Sequence, residues 1–210
     1  MNNTVSRCKS SIVNPVLAFR TLAVLAFVFA GSTARASLIQ WSGNGHWYEA
    51  IPASIAWTDA KAAAEAKGGY LATITSAAEN TFVAGIVASS EYWHLLGGNF
   101  TAGPWLGGFQ PQGSPEPAGN WQWVTGETWS YSNWTPEEPN NGVGGTPEDA
   151  LLLWKSGSSV PPYGTTWNDG PSSDAFPSGY IIEYIPEPAS LSLFALGAAG
   201  LLAQRRTRNN

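Results

Sequence analysis

Pro136-Glu137-Glu138-Pro139-Asn140-Asn141-Gly142-Val143-Gly144-Gly145-Thr146-Pro147 decides how the rest of this chain is read. These twelve positions hold three prolines, three glycines, two glutamates and two asparagines, with no apolar periodicity of helical or strand type. A loop this long inside a compact domain is usually either functional or disordered. Its flanks decide between the two. Trp134 stands before it and Leu151-Leu152-Leu153-Trp154 after it, and both have the character of buried chain, so the loop is tied down at each end and reads as functional.

Upstream of the loop, the first half of the chain carries helical signals. Trp57, Ala60 and Ala64 recur at helical spacing, and Gly68-Gly69 stops the run. Ser76-Ala77-Ala78-Glu79 is a capping-box pattern opening a second helix, with Phe82, Val83, Ile86 and Val87 on its inner face. Trp47 to Ile51 and Tyr70 to Ile74 have strand composition. From Trp105 onward short apolar strands alternate with Gly, Pro and Asn, ending in Tyr180-Ile181-Ile182-Glu183-Tyr184. Helices first, then strands and long loops, give an α+β domain. Trp121, Trp123, Trp129 and Trp134 have the spacing of core residues rather than of an exposed sugar-stacking platform.

Charge narrows the partners. Between residues 37 and 185 only Lys61, Lys67 and Lys155 are basic, against fourteen Asp and Glu, a local balance of −11 (3 minus 14) compared with −5 for the whole chain. Such a surface repels phosphate backbones and anionic lipid, which argues against nucleic acid, and it suits a cation. The single cysteine, Cys8, lies near the N-terminus, so residues 37–185 fold without disulfides.

Both ends read as sorting segments. Residues 1–36 have the layout of a secretory signal: Arg7 and Lys9, an apolar run from Thr21 to Ala30, and Ala34-Arg35-Ala36 as an A-x-A site, with cleavage expected before Ser37. Ten apolar residues fall short of the roughly 20 that span a bilayer. Residues 186–210 begin with Pro186-Glu187-Pro188, continue with an apolar run from Ala189 to Ala203, and end with Arg205, Arg206 and Arg208. That order resembles the PEP-CTERM sorting tail of Gram-negative bacteria. The resemblance implies transient membrane insertion with the arginines on the cytoplasmic side, and an exosortase as the partner that processes it.

Within and after the loop stand Glu138-Pro139-Asn140, Glu148-Asp149 and Trp167-Asn168-Asp169. Glu138, Glu148 and Asp169 offer carboxylates, and Asn140 and Asn168 offer amide oxygens, the mixture of hard donors that calcium takes. Crowded carboxylates repel one another or take up protons unless a cation sits among them. Taken singly, each has a plainer reading: a turn, a loop bend, a solvated charge. His46 and His94 are too few for a metal cluster, and no serine or cysteine has a nucleophile's setting. Glu148 and Asp169 are the carboxylates a glycosidase would need, but nothing in the sequence marks one as a raised-pKa acid. The chain reads as a non-enzyme.

Order and context do more than the single residues. Trp57 with its alanine-rich helix, Gly69-Tyr70-Leu71-Ala72, Glu79-Asn80, Trp105-Leu106-Gly107-Gly108, Trp121-Gln122-Trp123 and Tyr131-Ser132-Asn133-Trp134 precede the three motifs above. In that order, over residues 39–185, they resemble the C-type lectin domain. The resemblance implies a fold of two helices, small antiparallel sheets and a long calcium-binding loop. It implies calcium held by Glu138, Asn140, Glu148, Asn168 and Asp169, and a cis bond at Pro139. It also implies carbohydrate bound through Glu138, Asn140, Glu148 and Asn168. The Glu-Pro-Asn triplet is similar to the mannose/glucose-type pattern, so the expectation is a binding module at the cell surface, outer membrane or exopolysaccharide matrix. A C-type lectin-like protein-interaction domain, with structural calcium or none, fits the same motifs. The family's usual cysteines are missing, and Gln110, Gln112 and Asn141 stand where acidic residues of a second calcium site usually lie.

Overall fold

The computed structural model describes residues 38–142, 146–157 and 164–186. The signal segment (residues 1–36), Cys8 and nearly all of the tail (residues 187–210) lie outside the described residues. Among the described residues, no helix is long and apolar enough to cross a membrane. The elements in chain order are β1 (Ile39–Gln40), β2 (Trp47–Pro52), α1 (Trp57–Ala66), β3 (Tyr70–Leu71), α2 (Ala77–Ile86), β4 (His94–Leu96), β5 (Phe100–Phe109), β6 (Gln122–Trp123), β7 (Ala150–Lys155), β8 (Thr166–Gly170) and β9 (Gly179–Tyr184).

Both helices stand where the spacing puts them. On α1, Trp57, Ala60 and Ala64 are buried, and the Trp57 indole N–H donates to Leu106 O at 2.7 Å. Gly68 takes φ +82°, a conformation that side chains disfavour, and the Gly69 N–H then closes back on Ala64 O at 3.1 Å. On α2, Ser76 Oγ accepts the Glu79 N–H, while Val83 and Val87 are fully buried and Phe82 and Ile86 pack at the margin. Glu79 departs from the capping box. Its carboxylate takes the N–H of Thr75 at 2.7 Å, one residue before the cap.

The strands form one sheet in the order β1-β2-β9-β5-β7-β8, with β3 added to β9 and β4 and β6 added to β5. All of these pairings are antiparallel except the one between β5 and β9, made at Trp105 and Tyr180. That parallel contact joins the small sheets expected from sequence into a continuous one. The strand expected from Tyr70 to Ile74 ends at Leu71 because the Thr73 N–H donates to the Glu183 carboxylate at 2.9 Å instead of a backbone carbonyl.

Alternation along the central strands builds two cores. Leu151, Leu153, Leu106 and Ile181 join α2 and the tryptophan motifs, whereas Leu152, Trp105, Tyr180 and Ile182 join α1. Trp121, Trp123, Trp129, Trp134 and Trp167 stack together, with Trp123 and Trp129 centroids 4.4 Å apart. Trp121 and Trp123 are core, as their spacing indicated, and so is Trp167, whereas Trp129 and Trp134 are half-buried and pack against that core.

One buried polar network had no sequence signal. Tyr48 OH donates to Glu79 Oε1 at 2.6 Å and lies 3.1 Å from Glu183 Oε1. Glu183 Oε1 also meets His46 Nδ1 at 2.6 Å, and its Oε2 takes the N–H and hydroxyl of Thr73. Desolvation, then the charge of Glu183, holds the Tyr48 phenol far above its usual range. The network ties α2 to β2 and β9.

Candidate functional site

The loop starts locked to β8. Trp167 N–H donates to Asn133 O and Thr135 N–H to Trp167 O, each at 2.9 Å, and Thr135 Oγ1 donates to Thr166 Oγ1 at 2.8 Å. Glu138-Pro139-Asn140 follows, with the Glu138–Pro139 bond cis, as the resemblance implied; a second cis bond at Glu116–Pro117 was not expected. Two residues with left-handed backbone bracket the triplet, Glu137 at φ 77° and Asn141 at φ 57°. Asparagine tolerates that region, but for glutamate it costs roughly 1–2 kcal/mol, a strain of the kind kept at functional sites.

Strand β8 delivers Asn168 and Asp169, paired with Leu152 and Leu151 of β7. Asp169 is fully buried and clamps the loop: it accepts the N–H of Asn141 at 2.8 Å and of Asn140 at 3.3 Å. The chain of contacts continues outward. Asn140 Oδ1 accepts the Gly142 N–H at 2.6 Å, and Asn141 Oδ1 accepts the Glu148 N–H at 2.9 Å. Gly142 takes φ +64°, a conformation that side chains disfavour, and it lies against the carboxyl of Glu148.

Of the five residues singled out from sequence, Glu148, Asn168 and Asp169 line one cleft of about 250 Å³ together with Asp174. Glu138 and Asn140 line a second, of about 540 Å³; Trp154 belongs to both. Asp169 links the two groups through Asn140, Asn141 and the carboxyl of Glu138, which lies within hydrogen-bond reach of it.

Electrostatically the site is overloaded. Burial, the charge of Asp169, a hydrogen bond to Asp169 and the charges of Glu148 and Glu137 push the Glu138 carboxyl up to about 7. Burial, followed by the charge of Asp169, also pushes Glu148 up to about 7, although a hydrogen bond from the Gly142 N–H works against it. The sequence could not mark these carboxyls as raised, because the causes are burial and crowding across 31 positions from Glu138 to Asp169. Among the described residues, two of the buried side-chain oxygens that find no donor belong to this site: Glu138 Oε2 and Asn168 Oδ1. A stranded buried acceptor costs about 1–3 kcal/mol, so the arrangement is built at a loss unless something else meets these atoms.

The donors are oxygens throughout, three carboxylates and two amides, which fits a hard divalent cation such as calcium. No group of three His, Cys, Asp or Glu gathers as a metal cluster among the described residues. A cation would therefore need the amide oxygens of Asn140 and Asn168 to complete its shell. Gln110 is engaged elsewhere, donating to the carbonyls of Pro117 and Gly119, and Asn141 is engaged by the Glu148 N–H. Asp174 and Gly142 were missed by sequence reasoning; neither stands within a motif.

The family model for the lectin C-type domain matches residues 53–158, half of the chain, and the PEP-CTERM protein-sorting motif matches residues 185–206. One chain of the snaclec salmorin of Gloydius brevicauda is 32% identical over 108 residues, 49% of this chain and 63% of the relative. Ladderlectin of Oncorhynchus mykiss is 32% identical over 114 residues, 54% of this chain and 50% of the relative. The chain thus spans about half to two thirds of these relatives' length. Among solved structures, the cow C-type carbohydrate-recognition domain of CD23 superposes with a TM-score of 0.52 at 21% identity, covering 74% of this chain and 98% of that one. The ordered motifs, the fold and the matched segment agree: this chain belongs to the C-type lectin domain family and carries a PEP-CTERM sorting motif.

Proposed function

We propose that the protein is an exported, calcium-dependent carbohydrate-binding module of mannose/glucose type, displayed at the cell surface or in an exopolysaccharide matrix. In this reading residues 1–36 are removed on export, 37–185 form the binding domain, and an exosortase processes 186–210. The supporting observation is the pair of buried oxygens without a donor among the described residues, Glu138 Oε2 and Asn168 Oδ1, beside Glu138 and Glu148 carboxyls that burial and the charge of Asp169 push up.

Glu138, Asn140, Glu148, Asn168 and Asp169 would hold the calcium, which when bound supplies positive charge and open coordination positions for sugar hydroxyls. The chain's own groups do the rest. Asp169 fixes the backbone of Asn140 and Asn141, and so sets where the triplet's side chains stand. Glu138 and Glu148 accept hydrogen bonds from two adjacent hydroxyls, while the amide groups of Asn140 and Asn168 donate to the same oxygens. A vicinal pair of equatorial hydroxyls satisfies both halves of that pattern.

We take the module to bind carbohydrate without hydrolysing it, as C-type lectin domains generally do. A glycan array run with calcium and with chelator tests the proposal. Signals on mannose- or glucose-bearing glycans that vanish with chelator are expected. A blank array in calcium, alongside a protein partner recovered by the same domain, would replace it with the protein-interaction reading.

A further inference from the structure

Among the described residues six large apolar side chains are exposed, and four of them gather at one corner of the sheet. Leu38 and Ile39 lie at the start of the edge strand β1, Trp47 opens β2, and Ile185 follows β9. Leu38 is 52% exposed and Ile185 60%. The register brings them together. Gln40 pairs with Trp47 and Trp47 with Tyr184, so Ile185 emerges beside the β1–β2 hairpin. Side chains alternate along a strand, which puts Trp47 on one face and Ile39 on the other, so the patch wraps the corner.

Single exposed apolar residues are ordinary on a protein surface, but a cluster of them marks contact with another apolar body. The chain itself indicates which. Ile185 is the first residue matched by the PEP-CTERM motif, and the apolar run from Ala189 to Ala203 begins four residues on. Four residues span at most about 14 Å even when fully extended. With that run in a bilayer, the corner is held within reach of the headgroup layer, which is on the order of 5–8 Å deep on each side. Tryptophan favours that boundary between headgroups and acyl chains. The nearest carboxylates are engaged inside the protein: Glu49 accepts from Lys67 at 3.0 Å and from Tyr184 OH at 2.6 Å, and Glu183 meets His46. The acidic balance of residues 37–185 repels anionic lipid, so the lipid that fits is neutral overall.

We propose that the corner formed by Leu38, Ile39, Trp47 and Ile185 is a lipid-contact surface, seated on the membrane interface while the tail is inserted. It fixes how the domain stands. Strand β5 runs parallel to β9 where Trp105 meets Tyr180, so Phe100, at the start of β5, lies at the other end of the sheet from Ile185. The cleft of Glu138 and Asn140, which Phe100 lines, then stands away from the lipid. The inference rests on insertion of the tail and not on the carbohydrate reading.

The exported form, residues 37–210, holds no cysteine, so a single introduced one can carry a reporter. Gln40→Cys, beside Trp47, takes an environment-sensitive fluorophore, and Leu95→Cys, exposed on the β4 hairpin, is the distant control. Each is reconstituted into phosphatidylcholine vesicles containing a lipid spin-labelled just below its headgroup. The chain floats with the vesicles, the reporter at position 40 is quenched, and the one at position 95 is not. Leu38→Ser with Ile185→Ser, both on the surface, leaves Tm unchanged and abolishes the quenching although the chain still floats. A floating chain with position 40 unquenched overturns the surface and leaves the tail reading standing. So does quenching that survives the serine pair, since the tether alone then accounts for it. A reporter already shielded without vesicles, in a chain that runs as a dimer, replaces lipid with a second copy. A chain that fails to float removes the tail's insertion, and the inference with it.

Discussion

Two groups of carboxylates stand in the same small domain, and they are treated differently. Where α2 meets β2 and β9, Glu79 and Glu183 are almost wholly buried, yet every oxygen has a partner. Tyr48 and Asn44 donate to one oxygen of Glu79 and Thr75 to the other; His46 and Thr73 serve Glu183. Beneath the long loop, Glu138, Glu148 and Asp169 have no hydroxyl donor of that kind among the described residues, and Glu138 Oε2 and Asn168 Oδ1 have no donor there. Buried charge is stable when paired and hydrogen-bonded and costly otherwise. The first group is therefore complete as protein. The second is left short of partners, and it is there that the proposal places a cation.

The largest effect expected from this contrast is structural. Glu183→Ala strands the Thr73 N–H and the His46 ring, a loss of about 3–5 kcal/mol for breaking a buried pair. Thermal melting should show Tm down by about 10 °C or more, and by the same amount in calcium and in chelator. If the loss appeared only with calcium present, the scaffold group would itself be an ion site and the contrast would fail.

Next comes Asp169→Asn. It removes the charge that raises both Glu138 and Glu148 while leaving an oxygen to accept the Asn140 and Asn141 amides. The metal-free protein should shift by only about 1 kcal/mol. The response to calcium should disappear. A variant that keeps the full response would remove Asp169 from the site.

The smallest effect is on pH dependence. Glu138 and Glu148 are raised to about 7 in the folded chain, above their unfolded range. Carboxyls raised in this way contribute stability that is full below the unfolded pKa and is lost as pH rises through the folded one. Burial raises Glu183 too, which acts in the same direction. In chelator, Tm should therefore fall by a few degrees between about pH 5.5 and 8.5, and saturating calcium should flatten that slope, because cation binding favours the ionised ligands. A chelated protein that gains stability over the same interval would show that the crowding is relieved some other way.

Much of the scaffold is legible in sequence because its signals are local. Trp57, Ala60 and Ala64, then Phe82, Val83, Ile86 and Val87, sit within single helical faces, and Ser76 and Gly68-Gly69 punctuate them within a turn. The five oxygen-bearing residues proposed as ligands can be named from sequence for a related reason: each stands in a short motif, Glu138 and Asn140 in the loop, Glu148 just after it, and Asn168 and Asp169 on β8. What stays hidden is non-local. Glu79 and Glu183 share Tyr48 although 104 positions separate them (183 minus 79), and no periodicity records that. The raised carboxyls of Glu138 and Glu148 depend on burial and on Asp169, which only the folded chain brings near.

Melting the mature domain over a calcium titration bears on all of this most directly. At a hundredfold excess over Kd, an ion that binds only the folded form adds about 2.7 kcal/mol. For a domain of this size that is on the order of 5–10 °C in Tm, rising steadily with the logarithm of calcium and reversed by chelator. Identical melting curves with millimolar calcium and with chelator would mean that Glu138, Asn140, Glu148, Asn168 and Asp169 do not form an ion site.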